Sequence, residues 1–570
     1  MENFAMSLIS SQSSGDFISD AKTPLLSLLA LVIVFIGTVS YVGISGDFPL
    51  IDDWSYAIST RMLVATGTWK PFGWTSMPLI SNALWAAPIC ALSSCGFDDL
   101  RLTTLLASSL LFVMTFFLVK ANNKTMLVPL FAALLLAFNP IAYALSFTFM
   151  TDILFSALVT TSAFLFVLSL ERDSIPLIVF GTIIAILATF SRQLGLCLPL
   201  AFLVVRLLQT DRWPRKLILA LTPFLVCTAS LMLFNRWLRE TGRTPDVYDF
   251  QLNLLASTIK APVLEVMSLI GLHVIETLLY LGLFSLPLLL LTRRHDIVAV
   301  DARSWWRHAP IMIAGCVTLL GVATMWARHQ IMPLFGDILV PQGIGPLLLR
   351  DTFELHLPNV PSLPSFFWIV VTLLSLWGVF ELSRRTVTYM INIIQKVRYG
   401  EHNPNASGPL FAMIAILAYL APLMLSGLFD RYLIPVLPLT FFFLTSISVA
   451  GPVDRHHILI ATLMCLLTIA FTVLTNHDHM AWNRARWAAI TDAQSEGIAG
   501  PDNLDGGFEY NGFFSYSPSY KESHEKSHWW VGRDDYQIAF GPIDGMKVVK
   551  SYSYETALPS TKRSILLLAR

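Results

Sequence analysis

Long apolar runs separated by short polar breaks dominate residues 24–474, and each run is near the ~20 residues that a helix needs to cross a hydrocarbon layer. The pattern predicts thirteen spans: 24–44, 101–119, 126–146, 150–170, 175–190, 193–208, 217–234, 268–291, 309–326, 365–381, 409–426, 431–450 and 456–474. The polar lead-in before the first carries little positive charge and is followed by no small-residue cleavage site, so that span reads as a retained anchor. The stretch 78–95 is apolar but holds two prolines, and reads as lying along the interface or inside protein. Beyond 475 the pattern changes: strands are predicted at 546–555 and 564–568, and a turn with an aromatic run near 502–510 suggests a small α+β cap.

Composition agrees with this division. Apolar residues make up 55% of the 570 and charged residues 13%, about half the usual soluble share. Residues 476–570 hold 22 of the 76 charges, a soluble density, whereas the rest of the chain is charge-poor. The predicted organisation is a cytoplasmic segment 1–23, a membrane domain 24–475 with an outer loop 45–100, and a soluble domain 476–570. Lys and Arg balance Asp and Glu at 38 each, which gives no sign of nucleic-acid binding.

Cation placement sets the sides. With the N-terminus in the cytoplasm, inner segments hold seventeen Lys and Arg in roughly 90 residues, and outer loops eleven in about 145. The odd span count then puts the C-terminal domain outside, along with the long loops 45–100, 235–267 and 327–364. The sequons at Asn123 and Asn405 fall in inner loops, where they are not expected to be glycosylated. Cys90 and Cys95 fall near the outer side, where a disulfide can form; Cys197, Cys227, Cys316 and Cys465 read as packing residues.

Few charges fall inside spans, and no duplicated hydropathy pattern suggests a transporter built from repeats. The candidate chemistry lies at the outer mouth. Asp52 and Asp53 follow the first span, and Asp152 begins the fourth. Each can accept a proton, bind a cation, or cap a helix N-terminus. His273 and Glu276 share one helix face and can hold a metal or form a buried pair. Neither His477/His479 nor His524/His528 continues into a recognised metal-ligand spacing. Pro341-Gln342-Gly343-Ile344-Gly345-Pro346 fits a hinged lid or a plain surface loop.

Asp52-Asp53-Trp54-Ser55-Tyr56-Ala57 with Arg61, Phe149-Met150-Thr151-Asp152, Ser191-Arg192-Gln193-Leu194-Gly195-Leu196 and Asp430-Arg431-Tyr432-Leu433-Ile434-Pro435 together resemble motifs of the polytopic glycosyltransferases that use polyprenyl-phosphate sugars. This GT-C group includes protein O-mannosyltransferases and the lipid A aminoarabinose transferase. The resemblance covers roughly residues 20–475 and implies an all-α polytopic membrane bundle of about thirteen transmembrane helices with a small α+β extracytoplasmic C-terminal domain.

It further implies that Asp52 is the catalytic base, that Asp53 orients an acceptor or binds a cation, and that Asp152 shapes the acceptor site. Relatives often carry a phosphate-binding lysine before a proline in the first loop; Met77-Pro78 stands here instead, leaving Arg61, Lys70 and Arg192 as substitutes at the donor phosphate. Arg431 can reach that phosphate or pair with Asp430 and anchor the helix. A divalent cation is the one cofactor left open. The implied partners are a polyprenyl-phosphate-linked sugar, a lipid, glycan or protein acceptor, and membrane lipids, at a bacterial inner membrane. A flippase or transporter for a polyprenyl-linked precursor is the alternative, and a non-catalytic assembly factor a third.

Overall fold

The computed structural model describes residues 14–123, 125–209, 213–293, 305–398, 407–449, 453–521 and 529–570. The sequon at Asn405, the His524/His528 pair and several cations used in assigning sides, Lys124, Arg212, Arg294 and Arg303 among them, lie outside these residues.

Every predicted span contains helix, but the lengths fall into two groups. Among the described residues, nine helices are long and apolar enough to cross a membrane. They are α1 (Ser14–Val42), α4 (Phe97–Ala121), α7 (Thr151–Arg172), α10 (Trp213–Glu240), α12 (Val263–Leu291), α13 (Ala309–Ala327), α15 (Ser365–Arg398), α16 (Ser407–Ser426) and α18 (Arg455–Ser495). The other four predicted spans are shorter or broken. Stretch 126–146 divides into α5 (Leu127–Ala137) and α6 (Pro140–Leu145), because Pro140 cannot continue a helix and Asn139 starts the next by accepting the Ile141 and Ala142 N–H groups. Stretch 175–208 breaks at Arg192, between α8 (Ile175–Ser191) and a 3-10 turn leading into α9 (Cys197–Leu208). The last of the four begins as a 3-10 turn over Asp430–Leu433 and continues as α17 (Val436–Ser446). Among the described residues, nine of the thirteen predicted spans are therefore single helices long and apolar enough to cross.

The long loops carry helices of their own: α2 (Asp53–Thr66), α3 (Ile80–Cys90), α11 (Phe250–Ile259) and the short α14 (Arg350–Phe353). Helix α3, from the stretch expected at the interface or inside protein, lies against α8; Ser81 Oγ donates to the Leu187 carbonyl at 2.7 Å. Cys90 and Cys95 are disulfide-bonded just after it.

Small residues set the closest helix crossing. Gly282 of α12 meets Gly378 of α15 backbone to backbone, and a Cβ on Gly282 would stand 2.5 Å from the Val379 nitrogen. Ser375 Oγ donates to the Leu279 carbonyl at 2.8 Å across the same seam, a small-residue contact with an interhelical hydrogen bond as expected where lipid supplies little hydrophobic drive.

Helix α18 passes through residue 476, where the charge density changes. It runs unbroken for 41 residues, about 60 Å at 1.5 Å per residue, so its second half leaves the apolar layer and enters the C-terminal region. There Thr472, Asn476, His479, Asn483, Arg486, Ile490 and Ala493 form its buried stripe. The region holds a four-stranded sheet in the order β3-β4-β6-β5, with β3 (Leu504–Asp505) parallel to β4 (Tyr536–Ala539) and β5 (Lys547–Ala557) antiparallel to β6 (Ser560–Ala569). Helix α19 (Phe508–Ser515) packs onto α2. The remaining two strands, β1 (Leu339–Val340) and β2 (Gly343–Ile344), form a buried hairpin at the stretch that sequence left open between lid and surface loop. Gly345 follows it at φ +88°, and a Cβ there would overlap the His479 ring.

Candidate active site at the outer mouth

The chain reaches Asp52 through a strained turn. Ile51 has φ +58°, a left-handed conformation that a β-branched residue rarely adopts. Three contacts hold the turn. Arg101, fully buried, donates to the Ile44 carbonyl at 2.7 Å and to that of Phe48, and lies over the Phe48 ring. Asp53 Oδ1 accepts the Leu50 N–H at 2.7 Å. Glu509, from the C-terminal region, accepts the Ile51 N–H at 3.2 Å. Strain of this kind persists only where surrounding structure over-determines it.

The adjacent acids then diverge. The Asp53 side chain is fully buried, and its second oxygen accepts the Phe149 N–H at 3.0 Å, which joins the first outer loop to the start of α7. Burial pushes the Asp53 carboxyl up to about 7, against the lowering effect of these backbone bonds. Asp52, one residue earlier, keeps 18% exposure; it accepts the Trp74 indole N–H at 2.9 Å, and its other oxygen lies 3.7 Å from Arg431. Asp53 thus faces the protein, whereas Asp52 faces the mouth.

Arg431 does not pair with its neighbour. Asp430 instead accepts the Ile338 and Leu339 N–H groups, the latter at 2.8 Å, and ties the turn to the β1–β2 hairpin. Burial and the nearby Asp337 charge raise the Asp430 carboxyl well above the ordinary range. Arg431 lies between Asp52 and Asp337, 3.7 and 3.6 Å away, and its Nε and Nη1 have no hydrogen-bond partner among the described residues. On the far side, Arg192 reaches Asp152 at 2.8 Å and Thr151 Oγ1 at 2.7 Å, with the Tyr432 ring beneath its guanidinium. Tyr56 lies within electrostatic reach of Asp52, Arg192, Arg431 and Asp152.

The other candidates fall elsewhere. Arg61 shares the Asp53 face of α2, where it donates to the Cys95 carbonyl at 2.8 Å and covers the Phe97 ring. Lys70 is exposed beyond the end of α2. His273 Nδ1 bonds the Met424 carbonyl at 2.8 Å, while Glu276 pairs with Arg328, so the two turn to different partners. Among the described residues, no three His, Cys, Asp or Glu side chains group as a metal site. His477 lies against Tyr41, and Asp478 accepts the N–H groups of Ala557 and Leu558. Asp337 was missed in the sequence; its signal is slight, a lone acid after Gly336 just ahead of an apolar stretch.

No family model and no curated protein sequence matches the chain. Among solved structures it is similar to the crystal structure of ArnT from Cupriavidus metallidurans in the apo state, at 14% identity and a TM-score of 0.40 over 96% of this chain and 98% of that one. It is also similar to ArnT from Cupriavidus metallidurans bound to undecaprenyl phosphate, at 13% identity and a TM-score of 0.38 over 97% and 98%. Values at this level decide neither fold nor chemistry. On the chain's own features, it is a polytopic helical membrane bundle with a sheet-containing C-terminal region and a buried acid–arginine cluster at one end.

Proposed function

We propose that the protein transfers a sugar from a polyprenyl-phosphate donor to a hydroxyl-bearing lipid, glycan or protein acceptor at the extracytoplasmic face of a bacterial inner membrane. The observation that carries this reading is Arg431: a buried guanidinium with unmatched donors beside a partly exposed carboxylate, Asp52. A phosphate arriving at Arg431 and Arg192 would find fixed positive charge there, arginine's forked donors matching its oxygens. It would also draw Arg431 away from Asp52 and leave that carboxylate free to accept a proton.

In the transfer, the acceptor oxygen bonds to the sugar's anomeric carbon and its proton passes to Asp52. The carbon–oxygen bond to phosphate breaks, and its electron pair leaves on the phosphate, held by the two arginines. Asp152 serves here by holding Arg192, and Asp53 by fixing the loop that presents Asp52. The apolar helices around the mouth would hold the polyprenyl tail, each buried methylene contributing about 0.8 kcal/mol. The motif resemblance supports the same substrate class.

Membrane vesicles loaded with labelled polyprenyl-phosphate sugars and a panel of acceptors test the reading. Asp52→Asn should lose about 10²- to 10⁴-fold in turnover with donor binding retained. Arg431→Gln should weaken donor binding as well. Undiminished turnover in Asp52→Asn would remove the base assignment, and lipid translocation without transfer would favour a flippase. Turnover in excess chelator separates arginine-held phosphate from a cation-dependent version.

A further inference from the structure

At the end of the bundle opposite Asp52, helices α12, α15 and α18 enclose a cavity of about 550 Å³ that the transfer reaction does not use. One wall is apolar, built from Leu289 and Leu290 at the end of α12 and from Trp377 of α15, which is 41% exposed toward the bundle's outer surface. The other wall carries Arg293, Arg384 and Arg385 against two acids, Glu381 and Asp454. Three arginines against two acids leave the described lining net positive by one charge.

The three arginines are not equivalent. Arg385 is committed to structure: it donates to the Leu289 and Thr292 carbonyls and to Thr292 Oγ1 at 2.6 Å, covering the C-terminal end of α12. Glu381 is held by Arg384 and lies 3.8 Å from Arg385, so its charge is already matched. Arg384 still has a buried Nε with no hydrogen-bond partner among the described residues, and Arg293 is exposed at the rim. A cation at the rim, an unmatched guanidinium donor behind it and an apolar wall open to the side together match a phosphate attached to an acyl chain.

We propose that this cavity binds the headgroup of an anionic membrane lipid, with the phosphate on Arg293 and Arg384 and the acyl chain along Leu289, Leu290 and Trp377. Basic pockets between helices are suited to such headgroups. The cation bias along the chain puts this end in the cytoplasmic leaflet, across the membrane from the proposed transfer site. The proposal does not rest on the transfer reaction.

Native mass spectrometry of the full-length protein in neutral detergent tests it, with phosphatidylglycerol, phosphatidylcholine and soluble glycerol 1-phosphate as separate arms. Wild type should prefer phosphatidylglycerol over phosphatidylcholine, and Arg293→Gln/Arg384→Gln should reduce that preference by about thirtyfold, roughly fivefold per cation. Arg293→Lys/Arg384→Lys, which keeps both charges, should retain most of it. Arg293→Gln alone alters only a rim residue and should lose about fivefold at an unchanged melting temperature. An unaltered lipid preference in Arg293→Gln would overturn the proposal. So would glycerol 1-phosphate binding as tightly as the lipid, which would assign the cavity to a soluble phosphate.

Discussion

Glu509 joins the C-terminal region to the turn that presents Asp52, and its replacement should separate stability from catalysis. One carboxylate oxygen takes Arg486 Nη1 at 2.8 Å, with side-chain exposures of 0% and 3% for the two residues; the other takes the Ile51 N–H. Glu509→Ala leaves a buried guanidinium uncompensated, a cost of about 3–5 kcal/mol. It also leaves the Ile51 N–H without its acceptor, which adds about 1–3 kcal/mol. Replacing both members of a buried pair by apolar residues is often near neutral, so Arg486→Met/Glu509→Leu should recover most of the stability lost in Glu509→Ala. It should not recover turnover, because Ile51 is still released from its strained φ and Asp52 moves with it. The assay pairs detergent-solubilised unfolding midpoints with sugar transfer in vesicles. Under this reasoning kcat falls while donor KM changes little, since Arg431 and Arg192 are untouched. A double variant that regains both stability and turnover would refute the coupling, as would Glu509→Ala with wild-type kcat.

Asp53 makes stability depend on pH. Its folded value of about 7 lies above the ordinary 3.8, so between these the unfolded chain has lost the proton that the folded chain keeps. Stability should therefore fall as pH rises through roughly 4 to 7, by up to about 4 kcal/mol, and level off above. Asp53→Asn should remove that slope in unfolding midpoints measured at pH 4.5 and 7.5; an unchanged slope would place its origin elsewhere. At the α12–α15 crossing, Gly282→Ala should cost about 1–3 kcal/mol, because the new methyl group meets the Val379 backbone and the helices must separate. An unfolding midpoint equal to wild type would show that the crossing yields freely.

What could be read along the chain was periodic or compositional. The strands predicted at 546–555 and 564–568 overlap β5 and β6; along β5 the half-buried Lys550, Tyr552 and Tyr554 alternate with exposed neighbours. The apolar runs are helices because, away from water, a helix satisfies its own backbone hydrogen bonds. Three features depended on contacts distant in sequence. The boundary at 476 followed charge density, yet α18 continues through it because polar residues such as Asn476 and Arg486 are buried against other elements rather than solvated. Arg61 carried a motif match, but the turn of α2 puts it beside Asp53 and Cys95. Asp337 reaches the mouth only because Asp430 captures the hairpin that follows it.

The adjacent acids show most directly why the motif underdetermined the site. Asp52 and Asp53 have the same chemistry and differ by one position, and a helix turns about 100° per residue. Which of them enters the mouth is therefore decided by where the helix starts. That start is fixed from outside the motif: Arg101 holds the incoming segment, the Phe149 N–H captures Asp53, and Glu509, hundreds of residues later, holds Ile51 in a conformation it would not adopt alone. Asp53 is fully buried with both oxygens taken by backbone N–H groups, while Asp52 keeps partial exposure beside Arg431. Through Glu509 the C-terminal region therefore helps set which of two neighbouring carboxylates faces the mouth.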